Sequence, residues 1–316
     1  MVNLETVFVL GAGASKDFDF PTGPELVKQI CDMLQNRQGQ EFDLFYEIAG
    51  QQSPDMADKF CDILMKANPL SIDAWLEHNP EYIDAGKLAI AIALLLCEQR
   101  SNLRPDSNWY QLLFQRLDSP FEDFDRNKLS IITFNYDRSL EEYLFTTFRY
   151  THTEKSKKDC VDKLNQIRTL HVYGSLGRLD WQNVDPKHPV PQVCYGAKLD
   201  IPTVFSAASS IKIIPAKDKE PSPEFLTAMK WIHNAQALYF LGFGYNEANM
   251  TRLGIDELRR PSKVMGTAYE LGYQPRREVE RLSIRDLKRK YGLVPKPVYE
   301  FLHDYVDFNE LGLPGI

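Results

Sequence analysis

"FVLGAGASKDFDFPTG", Phe8 to Gly23, sets an apolar run against two glycines two positions apart, then a serine and, further on, Phe-Pro. A run of that kind is a buried strand ending in a turn, and Pro24 suits the first turn of a following helix, which carries Leu26, Ile30 and Leu34 on one face. In doubly wound α/β folds the turn is glycine-rich because the backbone must pass close to a phosphate before a helix begins. An ordinary tight strand-to-helix turn draws on the same residues. The dinucleotide fingerprint has a third glycine three residues after Gly13, where this chain has Lys16, so the stretch departs from a standard dehydrogenase loop.

Working outward, the next hundred residues are helical in pattern. "SPDMADKFCDILMKA" opens on Ser53, "SIDAWLEHN" on Ser71, and "NPEYIDAGKLAIAIALLLCEQR" has Asn79 before Pro80, all good helix starts. The apolar run Leu88 to Cys97 is about half the length a membrane helix needs and is flanked by charge, so it predicts a buried core helix. Strand and helix then alternate: "LSIITF" is a strand, "DRSLEEYLFTTF" a helix, "IRTLHVYG" a strand, "EFLTAMKWIHNA" a helix, "QALYFLGFG" a strand, "NEANMTRLGIDELRR" a helix and "SKVMGTA" a final strand. A charged segment, Thr151 to Lys163, separates the second and third strands, and the tail Val298 to Ile316 is aromatic and acidic. This order predicts an α/β fold, a Rossmann-like parallel sheet flanked by helices, with a helical insertion or subdomain at about 25–118.

Composition narrows the function classes. The chain has 316 residues, 43% hydrophobic and 26% charged, with a formal net charge of −7. That is an ordinary globular composition, without the cationic excess that general binding to nucleic acid or anionic membrane needs. Five cysteines are spread without a Cys-x-x-Cys, which indicates neither a disulfide framework nor a zinc ribbon and fits reduced thiols in the cytoplasm. The N-terminus is acidic and leads straight into a strand, unlike a secretory signal.

Ligands of open α/β sheets lie beyond the carboxyl ends of the strands, and five strand ends here carry unusual residues: Gly11 to Ser15; "TFNYD", Thr133 to Asp137; "LHVYGS", with His171 before Gly174 and Ser175; "LGFGYNEAN", Leu241 to Asn249; and "MGTA", Met265 to Ala268. Asn135 or Asp137 could equally cap the helix that follows, and a lone histidine is more often a satisfied structural residue. Two Gly-x-Gly turns at one crevice suit a dinucleotide, which has a pyrophosphate and two riboses to hold.

Together these segments resemble the sirtuin family. Gly11 to Ser15 followed by Asp19, Phe20 and Pro21 is similar to its cofactor loop, "TFNYD" to its Thr-Gln-Asn-x-Asp, "HVYGSLG" to its His-Gly-Ser-Leu, and "FLGFGYNEAN" to the late glycine turn of the sirtuin-like NAD hydrolases of bacterial anti-phage defence. The matching segments cover about a fifth of the chain, in the family's order. The chain lacks the deacylases' zinc ribbon, has Thr22, Gly23 and Pro24 where they have Asp-Phe-Arg, and sets His171 two residues further from its glycine. Those departures favour the hydrolase branch.

The resemblance implies one NAD-binding catalytic domain over 1–316 that cleaves NAD to nicotinamide and ADP-ribose and needs no metal. It assigns Asn135 to orienting the ribose and a water, His171 to general base and Asp137 to support or cation stabilisation. Gly11, Ala12, Gly13 and Ser15 would hold the pyrophosphate, Phe20, Pro21 and Thr133 would line the site, Gly242 and Gly244 would pass the adenosine side, and Glu247 and Asn249 would either reach its ribose or, equally, cap a helix. It also implies a gated activity, with a homo-oligomer or a partner such as a co-encoded ATPase. The alternatives are an NAD-dependent protein deacylase and a non-catalytic sensor of NAD or an ADP-ribose nucleotide.

Overall fold

The structure, a computed structural model, describes residues 1–52, 54–106, 108–186, 189–214, 220–255, 261, 263–269, 271 and 291–309. Six strands, β1 (Thr6–Leu10), β2 (Leu129–Thr133), β3 (Arg168–His171), β4 (Ala237–Leu241), β5 (Lys263–Thr267) and β6 (Tyr291–Val294), form one sheet in the order β3-β2-β1-β4-β5-β6. Every pairing is parallel, with Leu10 level with Thr133 on one side and with Leu241 on the other. This is the doubly wound order, in which the chain leaves β1 in one direction and later returns to its other flank. Every residue of β1, β2, β4 and β5 is buried, as a parallel sheet covered on both faces requires.

Between β1 and β2 the chain is helical, as expected: α1 (Gly23–Asn36), α2 (Gln40–Gln52), α3 (Pro54–Ala67), α4 (Ile72–His78), α5 (Ile83–Cys97) and α6 (Trp109–Leu117). Helix α5 is buried from Ala85 to Leu95 apart from Lys87, so the most apolar run of the chain is a core helix. Ser71 caps α4 by accepting from the Ala74 N–H, while the cap expected at Ser53 lies outside the described residues. Thr22, Gly23 and Pro24 start α1. The Glu25 carboxylate accepts from the Thr22 N–H at 2.8 Å and from its hydroxyl at 2.7 Å, an N-terminal cap that contributes about 1 kcal/mol.

Beyond β2 come α7 (Ser139–Thr151), α8 (Lys157–Leu164), α9 (Ile201–Ser210), α10 (Pro223–Asn234), α11 (Glu247–Arg252) and α12 (Val298–Tyr305). Three expectations need correction. The charged segment after Thr151 is helix α8, which starts on a reciprocal Ser156–Asp159 cap. Helix α9 was not foreseen, although Ile201, Val204 and Ala208 recur at helical spacing. "SKVMGTA" is β5 and is followed by another strand, since β6 pairs along its edge. The end of the helix expected after Arg252, beyond Ile255, and the tail from residue 310 onward lie outside the described residues. None of the described helices is long and apolar enough to cross a membrane.

Candidate functional site

The two strands at the reversal point, β1 and β4, each end in a glycine turn, and the turns press on each other. A Cβ added at Gly11 would lie 2.6 Å from the Gly242 carbonyl oxygen, and one at Gly13 would lie 2.9 Å from it. At Gly242, where φ is +56°, a Cβ would lie 2.0 Å from the Ala14 nitrogen. The Gly13 N–H donates to Gly242 O at 2.9 Å, and Gly11 N–H to Leu241 O at 3.0 Å. These three glycines are therefore required by backbone meeting backbone across the two turns. Gly244 differs, since its Cβ would meet nothing within 4 Å. The Thr267 hydroxyl at the end of β5 accepts from the Gly242 N–H at 2.8 Å. Helix α6 braces the first turn from behind: Trp109 Nε1 donates to Ala14 O at 2.7 Å, and Phe18 stacks on Tyr110 with ring centres 3.6 Å apart.

The turn after β2 enters the same place. Thr133 Oγ1 accepts from the Asn135 N–H at 3.0 Å, which aims the Asn135 amide across β1. Its Nδ2 donates to Gly11 O and to Ser15 Oγ, both at 3.0 Å. Ser15 in turn donates to Asp137 Oδ2 at 2.8 Å, and Asp137 Oδ1 accepts from the Ser139 N–H at 3.2 Å and from the Ser139 hydroxyl. Tyr110 OH bonds the Ser139 hydroxyl at 2.7 Å. Burial raises the pKa of Asp137 above the ordinary value, against the opposing bonds from Ser139 and Ser15. Asn135 thus uses its amide hydrogens within the protein, and its Oδ1 is the group left to accept from a ligand hydroxyl.

Two hollows open from this network. An outer cleft of about 640 Å³ is bordered by Ala12, Gly13, Gly242, Gly244, Thr267 and Lys296. An inner cavity of about 70 Å³ is bordered by Ala12, Ser15, Phe20, Pro21, Asn135 and Asp137. Ala12 and Gly23 border both. The volume of the outer cleft is in the range of small-ligand sites. Lys16 and Lys296 bring cations to it, each beside a carboxylate: Lys16 is 3.5 Å from Glu25, and Lys296 is 2.6 Å from Glu300. Asp73 of α4 closes the inner cavity and accepts from Tyr136 OH. Among the described residues no cluster of histidine, cysteine and carboxylates could hold a metal ion.

His171 ends β3 on the far side of Asn135. Its Nδ1 is 2.8 Å from the Asn135 carbonyl oxygen and its Nε2 is 2.6 Å from Glu141 Oε1. The ring faces a third hollow, of about 500 Å³, shared with Glu141, Asn165, Ser175 and Arg178. Burial alone would lower the His171 pKa, but the Glu141 charge and hydrogen bond, the Asn135 carbonyl and the Asp137 charge prevail, and it is raised. Behind it, Arg138 is buried against Glu98, donating Nε to Oε1 at 2.9 Å, and also donates to the carbonyls of Gly177 and Val193.

The structure thus gathers Gly11, Ala12, Gly13, Ser15, Phe20, Pro21, Thr133, Asn135, Asp137, Gly242 and Gly244 around one crevice. Glu247 and Asn249 stand on α11, where Asn246 caps the helix, Glu247 is exposed, and Asn249 Oδ1 accepts from Tyr173 OH at 2.9 Å. The adenosine-ribose contacts that the resemblance implies for them are not visible in their bonding here. Glu141, Asp73 and Ser139 were not foreseen.

No protein-family model matches the chain, and no curated protein is similar to it. Two solved structures it is similar to are Sir2 proteins. One, a Sir2 with an inhibitor, 2′-O-acetyl-ADP-ribose and a deacetylated peptide, is 12% identical, with 94% of this chain and 90% of that chain covered and a TM-score of 0.39. Another, a Sir2 homologue carrying three substitutions with 2′-O-acetyl-ADP-ribose, is 15% identical, with 94% and 88% covered and a TM-score of 0.38. No residue role follows from likenesses of this degree.

Proposed function

We propose that the chain cleaves NAD between nicotinamide and ribose, releasing nicotinamide and ADP-ribose. The observation that supports this best is the pair of neighbouring hollows that share Ala12 and Gly23 as a border, a larger one against the two glycine turns and a smaller one bordered by Asn135 and Asp137. In this reading the outer cleft takes the adenosine diphosphate half, with Gly244 leaving room for close approach. The inner cavity takes the nicotinamide end.

Breaking the N-glycosidic bond builds positive charge on the ribose, and a fixed carboxylate beside it lowers the barrier. Asp137 supplies that charge, held against its burial by the bonds from Ser15 and Ser139. Asn135 Oδ1 orients a ribose hydroxyl or the attacking water. His171, which meets this site through the Asn135 carbonyl and faces the third hollow, is the base that takes the proton. Nicotinamide release from NAD by the purified chain tests the reading: Asn135→Ala and His171→Ala should each lower it by about 100-fold or more. Near wild-type release by folded variants would reject these roles.

Such an activity would deplete the NAD of the cell that makes it, so the proposal includes gating by self-assembly or by a partner such as an ATPase, and use in anti-phage defence. Light scattering beside the rate per subunit tests the assembly version; a fully active monomer would reject it. The third hollow, beside His171, favours a second reading in which an acyl-lysine takes the place of water. O-acetyl-ADP-ribose detected by mass spectrometry after incubation with an acetylated peptide and NAD would select it.

A further inference from the structure

The two ring nitrogens of His171 have different neighbours, and those neighbours decide where its protons are. The Asn135 carbonyl oxygen, 2.8 Å from Nδ1, can only accept, so Nδ1 carries a hydrogen. Glu141 Oε1 is 2.6 Å from Nε2, with the histidine side chain 15% exposed and the glutamate 10%. A lone pair on Nε2 facing an ionised carboxylate at that distance would repel it, so one proton lies between them. Either the ring is an imidazolium facing a carboxylate, or a protonated Glu141 donates to a neutral ring. In both forms His171 has no nitrogen free to take a proton.

We propose that Glu141 is the positioning residue for His171: it holds the Nε2 edge of the ring and shares one proton with it, and His171 becomes a base only when the pair has lost that proton. The inference rests on the reading of His171 as the base and adds the group that governs it. After the loss, the Nε2 lone pair and the ionised Glu141 repel each other and their contact opens, while Nδ1–H remains on Asn135. A hydroxyl or water entering beside Nε2 then gives its proton to it, the resulting imidazolium closes on Glu141 again, and the oxygen keeps the electron pair with which it attacks. The product is the pair as the structure shows it. Through Nδ1 the same ring also steadies the Asn135 turn, so Glu141 acts on both sides of the site.

The charged groups around the ring come from three places. Asp137 lies in the turn after β2, and Glu141 and Arg138 belong to α7 and its start, Arg138 being committed to Glu98. Arg178 and Asp185 border the same hollow from the segment after β3, with Arg178 donating to the carbonyls of Leu179 and Gln182 and to Gln192. Among the described residues Glu141 alone hydrogen-bonds Nε2. Removing its charge should therefore disfavour the imidazolium, and an opposite charge at this range moves a pKa by about 1–3 units.

The direct test is an imidazole ¹⁵N titration of the ligand-free protein, with the His171 signal among the six histidines assigned by its loss in His171→Gln. In the unaltered protein the midpoint should lie above the ordinary value, with Nδ1 protonated throughout. In Glu141→Gln it should fall by about one pH unit or more. Glu141→Asp, which withdraws the carboxylate by one methylene, should also lower it and serves if the glutamine variant does not fold. An unchanged midpoint in a folded variant overturns the proposal. Where nicotinamide release is measurable, the acid limb of kcat/KM should move down with the midpoint; a limb that stays in place while activity drops would mark Glu141 as merely structural. The ¹⁵N result needs no turnover, so failure of the NAD reading and failure of the pair are told apart.

Discussion

Ser15 gives its single hydroxyl proton to Asp137 across 2.8 Å. The serine of the glycine turn is thus committed inside the protein, where resemblance would have it face a pyrophosphate. The N–H groups of Gly11, Gly13, Ala14 and Ser15 bond to backbone carbonyls, so a phosphate held at this turn would rely on the Ala12 N–H.

Ser15→Ala should destabilise the protein by about 1–3 kcal/mol near neutral pH, because it removes a donor from a buried carboxylate and an acceptor from the Asn135 amide. The effect should depend on pH. The folded-state pKa of Asp137 is raised, so the native chain binds that proton more tightly than the unfolded chain. Stability from this group is therefore present in acid and lost as pH rises from about 4 through the folded value. The Ser15 bond limits that loss by favouring the ionised form. Without it the penalty grows above the folded pKa and largely disappears once the carboxyl is protonated. Urea unfolding at pH 4 and pH 8 checks this; equal destabilisation at both would show that Ser15 does not stabilise the Asp137 charge.

Two glycines of one turn should answer differently to the same change. Gly242→Ala forces a side chain into a left-handed backbone and against the Ala14 nitrogen, which should cost about 2–5 kcal/mol. Gly244→Ala meets no protein atom within 4 Å and should melt within about 2 °C of the unaltered chain. If a nucleotide approaches that backbone, the KM for NAD should rise while stability holds. Thermal melts beside KM values separate the two, and a Gly244→Ala variant with unchanged KM would move the nucleotide away from this turn.

Arg138 and Glu98 form an ion pair whose side chains are 1% and 0% exposed. Burial raises the pKa of Glu98, against the opposing charge and hydrogen bonds of Arg138. Arg138→Met should cost about 3–5 kcal/mol by leaving that carboxylate unpaired, whereas the double change Arg138→Met with Glu98→Leu should recover most of the loss. Denaturant midpoints of the four proteins form the cycle that measures it. A double variant as unstable as the single one would shift the cost to the carbonyls of Gly177 and Val193, which Arg138 also holds.

Much of the fold was legible because its strands are buried on both faces and so appear as apolar runs: Val7 to Leu10 and Leu238 to Leu241 are of this kind, and Leu129 to Ile132 is interrupted only by Ser130. Strand β6, the four residues Tyr291–Val294, was hidden because it contains Gly292, which strands disfavour; β3, an edge strand of equal length, has no glycine. Helix α9 reads "IPTVFSAASS", β-branched and small, and forms where Asp200 caps it and α5 receives it. Within the site, the strand-end residues were visible because local punctuation marks them. What escaped were partnerships between distant segments. Gly11 looked like a phosphate glycine because nothing in its neighbourhood shows that Gly242 lies against it, and Asp73 carried no local sign of facing Tyr136.

The contact between the two glycine turns has a consequence for synthesis on the ribosome. Gly11 emerges more than two hundred residues before Gly242, and strand β4 completes the crevice by pairing with β1. The nascent chain therefore carries only half of the crevice until β4 has been made. Nothing can be held between the two turns before that point, so a product truncated ahead of β4 would lack the crevice.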